Sequence, residues 1–104
     1  MKRRIVLSRT ARELFNVMLA QGAEKFGINV ADAKRRSVIE TLETYLAENP
    51  HHGLIDRRLQ LRHFHVSKTP FVIVYEYDDL ELRVMFILHQ RADRSRLDRS
   101  DVEW

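Results

Sequence analysis

The chain's capacity for proton transfer or phosphate binding rests on 5 histidines and 18 lysines and arginines among 104 residues. The most pointed grouping is His89-x-Arg91-x-Asp93. A histidine titrates near neutral pH and can take or give a proton, while arginine offers a planar fork of donors to phosphate or carboxylate. The alternative for His89 is a strand-end ring bonded to backbone. Arg94 and Arg96 continue the basic series and suit a phosphate or an acidic groove, or else pair within a tail that also holds Asp98, Asp101 and Glu103. Lys68 adds a cation that could stabilise charge on a phosphate. His63 and His65 share one face of a strand, a spacing that can chelate a metal, and His89 would add a third nitrogen. No carboxylate or thiolate is patterned beside them, so neither a metal nor a cofactor is expected. The absence of cysteine excludes disulfides, thiolate zinc sites and a cysteine nucleophile.

Positioning these groups falls to the run FVIVYEYDDLELRVMFILHQR from Phe71 to Arg91. Two strand-like stretches flank Asp78-Asp79 and read as a tight antiparallel hairpin. A turn there sets Glu76 opposite Glu81, Tyr75 opposite Leu82, Val74 opposite Arg83 and Ile73 opposite Val84. One face would carry Phe71, Ile73, Tyr75, Leu82, Val84 and Phe86. The other would carry Val72, Val74, Glu76, Glu81, Arg83 and Met85, with His89 on this second face.

Upstream, Arg4 to Leu7 reads as a short strand. Ser8 or Thr10 can cap the next helix, and Thr10 with Glu13 makes a capping-box pattern. Ala11, Leu14, Phe15, Met18, Leu19 and Ala23 recur at helical spacing, and Gly27 is the expected stop. Asn29 is expected to cap a second helix with Val38, Ile39, Leu42, Tyr45 and Leu46 on its apolar face, ended by Asn49-Pro50. A connection this short makes an antiparallel helical hairpin. His51 to Arg58 reads as a polar loop. Leu59 to Val66 reads as a strand whose apolar character changes face midway, so a bulge or twist near Arg62 is expected. The order is strand, two helices and a three-stranded C-terminal meander: one two-layer α+β domain over residues 1–104, with little regular structure expected after Asp98 and the order of the tail 94–104 left open. The formal net charge of +3 makes an acidic partner plausible, and no apolar run approaches the roughly 20 residues of a membrane span. The N-terminus lacks the apolar stretch of a signal peptide, so a cytoplasmic location is expected.

This order resembles the RelE/ParE superfamily, the toxic halves of type II toxin–antitoxin pairs. The carrying features are Ile5-Val6-Leu7-Ser8 with Ala11 and Leu14, Phe71-Val72-Ile73-Val74-Tyr75, and Val84-Met85-Phe86-Ile87-Leu88-His89-Gln90-Arg91-Ala92-Asp93. The resemblance covers roughly Arg4 to Asp98 and implies a toxin that forms a hetero-oligomer with a cognate antitoxin. Members that cut messenger RNA on the ribosome usually carry arginine where Val72 stands, and a tyrosine or histidine in the C-terminal segment, which here is RSRLDRSDVEW. Those departures favour the ParE branch, whose members poison DNA gyrase without a catalytic site of their own. On that reading His89, Arg91, Arg94 and Arg96 contact the target, and Leu14, Met18, Leu42 and Tyr45 meet the antitoxin. The alternative is a RelE-like, ribosome-dependent endoribonuclease with Arg91 and Lys68 stabilising charge and His89 or His63 as base.

Overall fold

The computed structural model describes residues 2–104. Strand β1 (Arg4–Leu7) leads into helices α1 (Arg9–Phe26) and α2 (Ile28–Glu40), followed by β2 (Leu54–Asp56), β3 (Leu61–His65), β4 (Phe71–Tyr77) and β5 (Glu81–His89). The five strands form one sheet in the order β1-β5-β4-β3-β2, with β1 parallel to β5 and the other pairs antiparallel. The segment read as a polar loop thus contributes β2, and the C-terminal meander has four strands rather than three. Three residues with exposed Leu54 and Ile55 carry too little alternation to announce a strand; pairing with β3 makes it one.

Local chemistry sets the helix ends. Ser8, not Thr10, caps α1: its hydroxyl accepts from the Ala11 N–H at 2.8 Å. Thr10 lies inside the helix, and its Oγ1 accepts instead from the Glu103 N–H at 2.8 Å. Gly27 ends α1 at φ 94°, a conformation open to glycine, and the same residue opens α2, so Asn29 falls inside the second helix. Beyond Glu40 the chain widens into a π turn, Thr41–Leu46, closed by the Ala47 N–H onto the Leu42 carbonyl at 3.0 Å. Thr41 and Thr44 bond back to the carbonyls of Ser37 and Glu40, competing with the regular ladder at this point.

The β4–β5 hairpin turns one residue later than the sequence pattern implies, at Asp79-Leu80. The Asp78 carboxylate accepts from the N–H groups of Leu80 and Glu81 at 2.8 and 2.9 Å, which holds this turn. Tyr77 therefore faces Leu82, Glu76 faces Arg83 and Tyr75 faces Val84. Met85 is then left without a partner, because Val74 pairs with Phe86. This bulge lies in β5 and not near Arg62, where β3 pairs regularly with β4. The Met85 carbonyl accepts from the buried Ser8 hydroxyl at 2.7 Å, so the helix cap also satisfies the bulge.

The bulge reverses the alternation of everything after it. Phe86 moves to the face away from the helices and Ile87 takes its place beneath them. On the helix side Phe15, Leu19, Val38, Leu42 and Leu46 pack on Ile73, Tyr75, Val84 and Ile87. On the other side Leu61, Val72, Val74, Met85, Phe86 and Leu88 form a second cluster, covered by Ala92, Leu97 and Val102 of the tail. A sheet buried on both faces explains why β4 and β5 read as nearly continuous apolar runs. The tail is fastened by polar contacts as well. Arg99 donates to Glu76 at 2.7 Å and to the carbonyls of Leu59 and Gln60 at 2.8 and 3.1 Å. Arg58 reaches the carbonyls of Arg94 and Leu97 at 3.2 and 2.8 Å.

Candidate functional site

At one end of the sheet, where β4 begins and β5 ends, Phe71 pairs with His89 and the Gln90 N–H bonds to the Pro70 carbonyl at 2.6 Å. The β3–β4 turn brings Lys68 to this end in a left-handed conformation, φ 63°. His89 was expected beside Arg83 and Met85; the bulge instead places it on the helix face. Its Nδ1 accepts from the Arg91 N–H at 3.1 Å. The Arg91 guanidinium is exposed and makes no bond or ion pair among the described residues. Arg96 is likewise exposed and unpaired among them.

His89 borders a hollow of about 170 Å³ between the helical hairpin and the sheet end. Its walls are Met18, Leu19, Phe26, Val30 and Phe71, and its rim carries Lys25 and Lys34 with no carboxylate among the lining residues. The Lys34 ammonium sits 5.2 Å from the centre of the Phe26 ring, which is 62% exposed. Gly22 also lines the hollow, inside α1. A Cβ added there would meet nothing within 4 Å, and its backbone is ordinary helix. Glycine at such a position costs roughly 1 kcal/mol of helix stability relative to alanine. Neither packing nor backbone geometry requires it.

The other histidines lie elsewhere. His63 is on the opposite face, partly buried between Asp56 and Arg94. Arg94 Nη1 approaches its Nδ1 at 3.3 Å. Nε2 is 3.5 Å from Asp56 Oδ2, too long for a normal hydrogen bond, and has no other partner. Burial holds the His63 pKa below its ordinary value; the Arg94 charge pushes the same way, and Asp56 opposes in part. His65 bonds through Nε2 to the Thr69 carbonyl at 2.6 Å. His63 and His65 therefore do not converge with His89. Val72, at 3% exposure, is sealed in the cluster beneath the tail.

The four residues expected at the antitoxin contact divide. Leu14 is exposed, and Met18 packs on the core and lines the hollow. Tyr45 projects from the π turn, hydrogen-bonded to His52, with its ring 5.6 Å from that of Phe64. Leu42, 1% exposed, is a core residue, four residues from Val38 and from Leu46 on the same inward face. The hollow and its lysines were not singled out from the sequence. The available signal was Gly22 itself, a glycine interrupting an otherwise helical pattern.

At the hairpin turn Arg83 joins Glu76, Asp78 and Glu81 at 3.0, 2.9 and 3.0 Å. The three carboxyls are held below their usual range. For Asp78 and Glu81 hydrogen bonds from arginine are the leading cause; for Glu76 burial pulls the other way and is outweighed by Arg99 and Arg83. Among the described residues no group of three or more His, Asp or Glu is placed to hold a metal.

No family model and no curated protein matches the sequence. Among solved structures the chain is similar to one described as the chromosomal ParDE TA system from P. aeruginosa. The TM-score is 0.69 at 14% identity, over 85% of this chain and 96% of that one. Helices packed on one face of a five-stranded mixed sheet make an α+β fold, which this chain shares with that structure.

Proposed function

We propose that the chain is the toxin half of a type II toxin–antitoxin pair, acting in the cytoplasm as ParE does by inhibiting DNA gyrase, and neutralised by a cognate antitoxin. The observation that carries this reading is the likeness, over nearly all of the chain, to a chain of a ParDE system. One position supports binding over cutting. Cleavage by a 2′-hydroxyl requires a base and cations converging on one phosphate. Here His63 is engaged by Arg94 on the face away from the helices, which leaves His89, at the same end of the sheet as Lys68 and Arg91, as the base of the alternative reading. Val72 is buried where RNA-cutting relatives present arginine. Arg91 and Arg96, without partners among the described residues, supply cations for the target, with His89 beside Arg91; Arg94 joins them only if it leaves His63.

Expression without an antitoxin should stop growth, and mapping of transcript 5′ ends should show no new cleavage on translated messages. Cuts within codons that vanish in His89→Ala and Lys68→Ala would overturn the proposal and favour the endoribonuclease.

A further inference from the structure

The hollow beneath the helical hairpin has room for one large side chain, and three features say what kind. Its walls are apolar and its mouth is ringed by Lys25, Lys34 and His89 without a lining carboxylate. Phe26 and Val30 stand exposed at its edge, leaving apolar surface unpartnered beside the cations. Gly22 leaves room at a helical position where a larger residue would meet no obstacle and would strengthen the helix. A position that forgoes helix stability without a steric reason keeps space for something else.

We propose that this hollow is a docking slot for an acidic protein segment, which inserts one large apolar side chain past Gly22 and sets flanking carboxylates against Lys25, Lys34 and His89. Anchor and rim divide the work: the buried side chain supplies contact area, and the charges select the partner and speed encounter. His89 closes the slot, and Arg91 follows it by two residues, so a segment seated there lies against the residues proposed to meet the target. Occupation would then compete with target binding. This deepens the toxin reading by locating its neutralising partner, but recognition of the segment does not depend on gyrase being the target.

The test uses the purified full chain and acidic peptides of about ten residues, identical except for a central Leu, Phe or Ala, with amide shifts and affinities followed by NMR. Leu or Phe peptides should bind with shifts centred on Gly22, Phe26, Phe71 and His89, and the Ala peptide at least about tenfold more weakly. Gly22→Leu should fill the slot, raise the melting temperature and abolish the anchor preference. Lys25→Glu with Lys34→Glu should weaken the Leu peptide by about tenfold and flatten its salt dependence. Equal binding of the Leu and Ala peptides, shifts centred elsewhere, no binding at all, or full binding by a stably folded Gly22→Leu variant would each overturn the proposal. None of these outcomes bears on supercoiling or transcript cleavage, so the slot can fail while the toxin reading stands.

Discussion

His63 shows how one residue's surroundings become a property of the whole chain. Its folded-state pKa is depressed, so the unfolded chain takes up a proton more readily than the folded one as pH drops below the ordinary value of 6.5. The associated stability is present above that value and is lost as pH falls toward the folded pKa. The carboxyls of Glu76, Asp78 and Glu81 are also depressed, but they begin to lose their contribution only near their ordinary values of 4.5 and 3.8. Urea midpoints measured between about pH 7 and pH 5 should therefore decline in the wild type. His63→Gln should flatten most of that slope; an unchanged slope would place the titrating group elsewhere. Tyr75 is the contrasting case, a buried group held in one state. Its hydroxyl accepts from the Gly53 N–H at 3.0 Å and donates to the Pro50 carbonyl at 2.5 Å, and burial pushes its pKa up to about 12. Gly53 is needed here because a Cβ would approach that hydroxyl to 2.4 Å.

Among the elements, the C-terminal tail closes one face of the sheet. Leu97 and Val102 cover a sheet face that would otherwise expose Val72, Met85 and Phe86. Arg99 fastens it by one carboxylate and two carbonyls, and Arg99→Ala should cost about 1 kcal/mol, partial exposure of the pair holding the value down. The amides of Leu97, Asp101 and Val102, each bonded within the tail, should then exchange faster while those of β4 and β5 keep their protection. Unchanged tail exchange would mean that apolar contacts alone hold it. The sequence shows the helices, β1 and the existence of the hairpin because these rest on periodicity and a short range of turn chemistry. It does not show the bulge at Met85. Asp78-Asp79 offered a turn one residue too early, and nothing local marks Met85 as the extra residue, since its carbonyl is satisfied by Ser8 at the far end of the chain. The face assigned to His89 failed for that reason. The burial of Leu42 was legible, four residues beyond Val38 on the expected apolar face; its assignment to a partner contact failed because the core occupies that face.

For the molecule as a whole, the formal net charge of +3 understates the asymmetry that matters. Arg83 and Arg99 are spent on internal carboxylates, while Lys25, Lys34, Lys68 and Arg91 gather around the end of the sheet, free of ion pairs among the described residues. His63 and His89 stand on opposite faces of the sheet, so the two do not act together on one group. Among the described residues no helix is long and apolar enough to cross a membrane. The most direct measurement is plasmid supercoiling by purified gyrase and ATP, with this protein and with its Arg91→Ala variant. Loss of supercoiling or accumulation of cleaved plasmid, weakened about tenfold or more by the variant, is the predicted result. Undisturbed supercoiling by a preparation that still arrests growth would contradict the gyrase reading.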